Sequence, residues 1–252
     1  MTQRALVTGA TAGIGNAYAR ELAKRGFNLT LVARDTVRLD KIAAELSKKH
    51  AVSIDVIGAD LATVEGVQSV ANAVTDTTKP VDLLINNAGA SLAGWFGTTD
   101  IAHEDHQLDL MVRAPMHLTD AAIKSMSGRG GGQIINVASV AAFTPRGTYS
   151  AHKMWIVNLC RWANLQYADA GLTVMAVCPG FTRTEFHQRM GASIDDIPGW
   201  MWLKADKVVK SSLKDLDKRK AVSIPSIRYK IMAALAQYVP AWIVARLAKM
   251  GR

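Results

Sequence analysis

Tyr149 and Lys153 are the residues of this sequence whose types and spacing point most directly to acid–base chemistry. A separation of four positions places both side chains on one face of a helix, where the ammonium can approach the phenol. A tyrosine with its ordinary pKa near 10 exchanges its proton poorly at neutral pH, and a positive neighbour lowers that pKa. Ser139 follows a predicted strand upstream, where its hydroxyl could bond a substrate oxygen. The three residues predict proton exchange with an oxygen atom of a substrate.

A glycine-rich turn at residues 8–15 predicts a site for a dinucleotide. The turn follows an apolar strand and opens a helix. Its glycines permit a tight bend and let backbone N–H groups approach a pyrophosphate, while the helix N-terminus adds partial positive charge. The predicted binding residues of the turn are Gly9, Thr11, Gly13, Ile14 and Gly15.

The end of the second predicted strand bears on the choice between NAD and NADP. In dinucleotide-binding folds an acidic residue there binds the ribose of NAD, whereas an arginine accommodates the 2′-phosphate of NADP. The strand ends at Ala33 without a carboxylate, and Arg34 follows it. We therefore expect NADP(H) to be favoured over NAD(H), with an ordinary surface arginine as the alternative interpretation.

Short apolar runs rich in β-forming residues alternate with helical stretches along the chain. The helical stretches include residues 16–25, 38–49 and 64–75. Because the runs are apolar throughout, they are typical of parallel strands buried on both faces. The pattern predicts an α/β fold with a doubly wound, Rossmann-type parallel sheet of about seven strands and helices on both faces. The predicted strands are residues 5–7, 29–33, 53–59, 83–85, 133–138, 173–178 and, weakly, 221–225.

Every motif of possible chemical interest follows one of these strands at its carboxyl end. In open α/β sheets, ligands bind at that edge, where the strand order reverses. The sequence therefore predicts one site assembled from several strand ends. The residues that follow the strands are Thr8 and Gly9, Arg34, Asp60, the run Asn86-Asn87-Ala88-Gly89, Ser139, and Pro179 with Gly180.

Length and composition limit the classes of protein to consider. The 252 residues, 49% of them hydrophobic, are enough for one large α/β domain, and no linker or repeat divides residues 1–252. Cys160 and Cys178 are too few for a disulfide framework, and we interpret both as small buried hydrophobic residues. Histidines and cysteines show no metal-ligand spacing, so no metal is expected. The first residues do not show the long apolar stretch of a secretory signal peptide, so we expect a soluble, cytoplasmic protein.

The net charge of +9 is concentrated in residues 200–252, which hold 12 Lys/Arg and 3 Asp/Glu. The uncharged stretch 231–245 contains Pro240 and is too short to span a bilayer. Two short amphipathic helices hinged near Pro240 could cap the domain, form a subunit interface, or rest on an anionic membrane with Trp242 at its surface. Aromatic residues are sparse among the lysines of 204–220, so we expect no nucleic-acid partner.

Together, the G-x3-G-x-G turn, the NNAG run, the Y-x3-K pair and the segment from Pro179 to Thr184 resemble the short-chain dehydrogenase/reductase family over about residues 4–184. The resemblance implies an NADP(H)-dependent oxidoreductase that forms a homodimer or homotetramer. Tyr149 would be the general acid in carbonyl reduction and the general base in alcohol oxidation. Lys153 would also hold the nicotinamide ribose, and Ser139 would polarise and orient the carbonyl.

The same resemblance extends the set of cofactor contacts beyond the glycine turn. Asp60 and Leu61 are similar to the adenine-contacting segment of the family, and the segment after residue 178 is similar to its nicotinamide-side loop. The implied cofactor contacts are Asp60, Leu61, Asn87, Ala88, Gly89, Tyr149, Lys153, Pro179, Gly180, Thr182 and Thr184.

Two features depart from the family pattern. The loop between Ser139 and Tyr149 is shorter than usual, and Met111, in a predicted helix over residues 108–119, occupies the position of an Asn that usually holds a water behind the lysine. Methionine is only a weak acceptor and offers no donor. Either proton supply takes another route, or turnover is slow, or the protein is a weakly active or inactive NADP(H)-binding sensor or scaffold.

Aromatic and apolar residues suggest the substrate. Residues 185–252 are predicted to form a substrate lid and the basic C-terminal helices. If the aromatic and apolar residues of this region and of the loop after the NNAG run line one pocket, that pocket suits a hydrophobic carbonyl such as an acyl, steroid-like or lipid-derived ketone. The alternative is that these side chains pack as core. The residues concerned are Trp95, Phe96, Phe186, Met190, Trp200, Met201, Trp202 and Leu203.

Overall fold

Seven parallel strands form the centre of the molecule in the computed structural model, which describes residues 2–90, 94, 96–185 and 197–239. The sheet order is β3-β2-β1-β4-β5-β6-β7. Strands β2 and β3 are added on one side of β1 and the later strands on its other side, so the order of strand addition reverses between β1 and β4. The predicted doubly wound parallel sheet is confirmed. The strands are β1 (Arg4–Thr8), β2 (Asn28–Ala33), β3 (Ile54–Gly58), β4 (Leu83–Asn86), β5 (Gly132–Val137), β6 (Leu172–Val177) and β7 (Val222–Ser223).

Alternate residues of the strands enter two separate hydrophobic cores, one on each face of the sheet. In β4, Leu84 packs in one core, while Leu83 and Ile85 pack in the other. All four residues of β4 are buried, as expected for a central strand covered by helices on both sides. This double burial explains why the strand runs are apolar throughout rather than alternating.

The helices of the described residues cover these two cores. Predicted helix 64–75 matches the structure, and the other two predicted helices begin two or three residues earlier than expected. The α-helices are α1 (Gly13–Lys24), α2 (Thr36–His50), α3 (Val64–Thr75), α4 (Ile101–Leu108), α5 (Ala114–Ser127), α6 (Thr148–Gln166), α7 (Ala205–Leu216) and α8 (Ile227–Tyr238).

The predicted helix over residues 108–119 is helical along its whole length, but it is not a regular α-helix. Helix α4 ends at Leu108, a π-helix spans Asp109–Arg113, and α5 follows. Pro115 has no N–H, so it cannot donate to the carbonyl of Met111 as the residue four positions on normally does. A wider turn, in which Ala114 N–H donates to the Asp109 carbonyl, accommodates this gap.

The C-terminal part of the described chain is joined to the N-terminal half by α7. This helix packs on α1, and the Tyr18 and Ser212 hydroxyls are 2.5 Å apart in the interface. Helix α8 ends just before Pro240, so the predicted hinge and Trp242 lie outside the described residues. Within the described part of the chain, no helix is long and apolar enough to cross a membrane.

Gly66 lets α3 begin directly against the loop that carries Asp60. A Cβ atom at Gly66 would lie 2.0 Å from the Asp60 carbonyl oxygen, whereas one at Gly128 would have only ordinary contacts at 3.8 Å. We expect Gly66→Ala to lower the free energy of unfolding by about 3 kcal/mol because the backbone must shift. Gly128→Ala is the control, expected within about 1 kcal/mol of the wild type. Urea unfolding measures both; equal stabilities of the two variants would contradict this packing.

Candidate active site

Ser139, Tyr149 and Lys153 lie together at the carboxyl end of β5. Ser139 follows β5 and caps a short 3-10 helix (Val140–Phe143), with its Oγ accepting from the Ala141 N–H at 3.1 Å. The Ser139 hydroxyl also hydrogen-bonds the Tyr149 phenol. Lys153 Nζ is 5.7 Å from the centroid of the Tyr149 ring and donates to the Val137 carbonyl at 2.9 Å. The shorter loop between Ser139 and Tyr149 therefore still brings the three side chains together.

Burial dominates the protonation of this cluster. Desolvation raises the pKa of Tyr149 to about 12, against a smaller lowering by the Ser139 hydrogen bond. Desolvation also lowers the pKa of Lys153 to about 8. The expectation of a lowered phenol pKa is thus wrong for the protein alone, because desolvation of the buried phenol outweighs the effects that favour its ionised form. At neutral pH the phenol is protonated and available as an acid.

The glycine turn is built by close backbone packing. Gly9 and Gly13 have φ values of +66° and +57°, which side-chain-bearing residues rarely adopt. A Cβ at Gly15 would lie 2.3 Å from the Gly9 carbonyl oxygen. Thr11 and Ile14 are half-buried in the same turn. The glycines are therefore required by the fold of the turn itself.

The NNAG run is tied to this turn through Thr8 and Asn87. Thr8 Oγ1 accepts from the N–H groups of Asn87 and Ala88 at 2.9 and 3.0 Å. Asn87 Nδ2 donates to the carbonyls of Thr8 and Gly9 at 3.0 and 3.2 Å. A Cβ at Gly89 would lie 3.8 Å from Lys153 Nζ, so the run also borders the Tyr149–Lys153 cluster.

Arg34 and Asp60 face each other where β2 and β3 end. Arg34 Nη1 is 3.6 Å from Asp60 Oδ2, and the Arg34 side chain is 71% exposed. Asp60 Oδ1 accepts from the Ala62 N–H at 3.0 Å. Leu61 is buried in the core. A guanidinium this exposed and only loosely paired can turn toward an incoming anion.

The segment after β6 reaches the glycine turn. A Cβ at Gly13 would lie 2.9 Å from the Thr184 methyl carbon, so Thr184 packs against the turn. Thr182 is buried, and its hydroxyl donates to the Gly180 carbonyl at 2.9 Å. The Pro179 carbonyl accepts from the Val140 N–H at 3.0 Å. This segment therefore links the Ser139 side of the site to the turn.

Tyr229 of α8 holds the same segment in place. Its hydroxyl accepts from the Phe181 N–H at 3.2 Å and donates to the Met201 carbonyl at 2.9 Å. Its ring packs so closely on Gly180 that a Cβ there would lie 2.1 Å from the ring. Sequence reasoning missed Tyr229 because neither spacing nor a motif connects it to Gly180.

The apolar residues proposed for the substrate region divide into two groups. Met201 is buried with Ile197 and Tyr229 in a small core, and Trp202 packs on Phe181 with ring centroids 5.9 Å apart. Phe96 and Trp200 are exposed. The core interpretation therefore holds for Met201. Residues Trp95, Phe186 and Met190 lie outside the described residues.

Cys160 and Cys178 are both completely buried. Burial raises the pKa of each thiol to about 12. Such thiols carry almost no thiolate at neutral pH and are poor nucleophiles. The interpretation of both as small hydrophobic residues agrees with this placement.

Comparisons with known proteins point to one family. A family model described as short chain dehydrogenase matches residues 3–195. A very-long-chain 3-oxoacyl-CoA reductase of Anas platyrhynchos is 31% identical over 198 residues, covering 76% of this chain and 63% of that protein. A solved short-chain dehydrogenase from Sphingobium yanoikuyae in complex with NADPH has a TM-score of 0.86 at 32% identity, covering 94% of each chain. A bulky-bulky ketone specific alcohol dehydrogenase from Comamonas testosteroni has a TM-score of 0.81 at 32% identity, covering 94% of this chain and 92% of that one.

The chain therefore belongs to the short-chain dehydrogenase family. It is an oxidoreductase with a Rossmann-type sheet and a nicotinamide nucleotide as its cofactor.

Lys153→Met removes an ammonium that the fold buries. Burial lowers the pKa of folded Lys153 to about 8 from its ordinary 10.5. Between these values the unfolded wild-type chain binds more protons than the folded one, so wild-type stability rises as the pH increases. We expect the variant to melt about 3 °C or more above the wild type at pH 7 and this difference to shrink toward pH 10.

Calorimetric melting at several pH values measures the difference. Lys124→Met is the control, because Lys124 is exposed and pairs with Asp120 on the surface of α5. A difference between Lys153→Met and the wild type that widens with rising pH would contradict the buried-ammonium interpretation.

Proposed function

We propose that this protein is an NADP(H)-dependent reductase of a hydrophobic ketone, able to oxidise the corresponding alcohol. The observation that carries the proposal is the Ser139–Tyr149–Lys153 cluster at the carboxyl edge of the sheet, beside the glycine turn. A protonated phenol next to a hydroxyl donor suits a carbonyl oxygen that gains negative charge.

The residues around the turn fit a dinucleotide. Helix α1 begins at Gly13 with Ala12 as its N-cap, so no side chain of the N-cap covers its first N–H groups, and no acidic residue lies in its first turn. Such a helix end favours a pyrophosphate. Gly9, Thr11, Ile14 and Gly15 would surround that pyrophosphate, since they form the same turn.

The remaining cofactor contacts follow the order of the strand ends. Asp60 and Leu61 would lie at the adenine, Asn87, Ala88 and Gly89 along the middle of the cofactor, and the segment after β6 at the nicotinamide. That segment would contribute Pro179, Gly180, Thr182 and Thr184.

In the proposed mechanism, a nicotinamide held by these residues would supply a hydride for the carbonyl carbon. Ser139 donates a hydrogen bond that orients the carbonyl, and Tyr149 gives its phenolic proton to the substrate oxygen. Lys153 stabilises the phenolate that remains, because a nearby positive charge favours the ionised form. In alcohol oxidation the same phenolate would accept the proton.

The nature of the substrate is proposed from exposed aromatic residues and from the relatives. Phe96 and Trp200 present exposed aromatic surface, Phe96 in the loop after the NNAG run and Trp200 in a short 3-10 helix (Gly199–Met201). The two relatives named above are described as acting on a 3-oxoacyl-CoA and on bulky ketones. We therefore favour an acyl, steroid-like or lipid-derived ketone, with the segment from about residue 185 onward as the lid of a single domain.

An oligomer is part of the proposal. Trp155, Trp162 and Leu165 on α6 and Met116 on α5 are exposed apolar residues, with Leu165 80% exposed. Exposed apolar side chains on neighbouring helices are typical of subunit interfaces. We propose a homodimer or homotetramer formed through these helices.

Tyr149→Phe removes the proposed proton donor and keeps the ring. We expect kcat for ketone reduction to fall about 100-fold or more, with the NADPH dissociation constant unchanged within about twofold. Steady-state kinetics and NADPH fluorescence measure these quantities. Tyr167→Phe, outside the site, is the control. Full turnover by Tyr149→Phe would remove this mechanism, and a wild type that binds NADPH but reduces no ketone would favour a sensor or scaffold.

Arg34→Gln tests the cofactor preference. If Arg34 binds the 2′-phosphate, the variant loses a charge-assisted hydrogen bond, and its KM for NADPH rises about ten- to hundredfold while its KM for NADH changes little. Arg25→Gln, which removes another exposed arginine paired with a carboxylate on α1, is the control. Equal changes for both cofactors would reject the proposed role of Arg34.

A further inference from the structure

Helix α8 carries an apolar stripe on its outer side. Ile227, Ile231, Leu235 and Tyr238 recur at intervals of three or four residues, so they lie on one side of the helix. Each of these side chains is between 57% and 88% exposed. Contiguous exposed apolar side chains mark a surface that binds a protein or a membrane.

The inner side of α8 fixes the direction of this stripe. Tyr229 and Ala233 are buried, and the Tyr229 hydroxyl is bonded to the backbone of Phe181 and Met201. The helix is therefore apolar on two sides, of which the described residues cover the inner one. A helix that is apolar all round is normally buried, so the outer stripe needs a second surface to pack on.

Positive charges border the stripe on both sides. Helix periodicity places Arg228 on one side of it and Lys230 on the other, and both side chains are exposed. Asp215 of α7 acts electrostatically with Lys230, but its carboxylate already accepts hydrogen bonds from Lys220 and Ser223. The stripe with its borders is thus an apolar surface framed by cations.

The sequence around α8 adds cations and no acidic residue. Residues 218–252 hold eight Lys/Arg and no Asp or Glu. In a twofold contact between two copies of the chain, the partner surface would carry the same positive charge. Anionic lipid headgroups carry the opposite charge and attract such a segment. The cations are Lys218, Arg219, Lys220, Arg228, Lys230, Arg246, Lys249 and Arg252.

Trp200 adds an aromatic ring beside the start of α8. The Arg228 guanidinium lies over this ring, 5.8 Å from its centroid, and donates to the Trp200 carbonyl. The Trp200 side chain is itself exposed. Tryptophan next to cations is typical of segments that rest at the boundary between a membrane and water.

We propose that the outer side of α8, with Arg228 and Lys230 at its borders, binds the surface of a membrane that contains anionic lipid. The helix lies flat on the membrane, and the stripe enters the boundary between headgroups and acyl chains. Because Tyr229 of the same helix packs on Gly180, the docked helix also supports the segment after β6. The proposal does not depend on ketone reduction.

Sedimentation of the full chain with lipid vesicles tests the proposal. We expect binding to phosphatidylcholine vesicles that contain about 30% phosphatidylserine to be at least about tenfold tighter than binding to phosphatidylcholine alone, because each nearby cation is attracted to the anionic surface. Added salt should weaken this binding, since it screens the attraction. A wild type that does not bind the anionic vesicles would overturn the proposal.

Two variants locate the contact on α8. Ile231→Ser removes apolar surface and Lys230→Gln removes one charge, and we expect each to weaken binding to the anionic vesicles about fivefold. Ile101→Ser and Lys124→Gln are the matched controls, because they change an exposed isoleucine of α4 and an exposed lysine of α5. The controls should bind within about twofold of the wild type. Equal losses in the variants and their controls would overturn the assignment to α8.

Two other partners for this side of α8 predict different results. If a second copy of the chain covers it, the wild type does not bind vesicles, and Ile231→Ser lowers the mass measured by sedimentation equilibrium. If residues 240–252 cover it, the wild type does not bind vesicles and Ile231→Ser keeps its mass. Either result would overturn the proposal. A wild type that binds anionic vesicles but reduces no ketone would support the membrane contact and reject the proposed function.

Discussion

The hydrogen bond from Lys153 Nζ to the Val137 carbonyl links the two elements that carry the candidate active site. It fastens the first turns of α6 to the end of β5, two residues before Ser139. The same link joins the elements that carry Ser139 and Tyr149. It also keeps an ammonium buried, and this burial lowers the pKa of Lys153 to about 8.

The glycine turn shows that structural and functional explanations of a motif can both be true. A Cβ at Gly15 would meet the Gly9 carbonyl, and Asn87 donates to the carbonyls of Thr8 and Gly9. These contacts would require the same residues in a protein without a ligand. They also leave the start of α1 without an N-cap side chain, which is the condition for binding an anion there. Close packing of the turn and an open helix end are therefore two results of one local arrangement.

The C-terminal residues contribute to the site through packing. Tyr229 joins α8 to the backbone at Phe181 and Met201, so a helix late in the chain holds the segment that follows β6. Arg38 of α2 forms an ion pair with Glu185 at the end of that segment. These contacts connect both halves of the sheet to the segment that follows β6.

The sequence by itself determined the sheet, its parallel strands and the set of strand ends at which polar residues occur. It could do so because strand burial and glycine turns leave local patterns of apolar runs and short motifs. The Y-x3-K spacing likewise placed Tyr149 and Lys153 on one helical face, since helix periodicity is a local property.

Only the tertiary structure decided the protonation of the site and the contacts between distant segments. The pKa of Tyr149 rises, contrary to the expectation from Lys153 alone, because desolvation depends on everything packed around the phenol. The packing of Tyr229 on Gly180 and the tie between the NNAG run and the glycine turn likewise depend on atoms far apart in the sequence. Spacing along a chain records which residues share a helix face or a strand end, but burial and cavities arise only when separate elements pack.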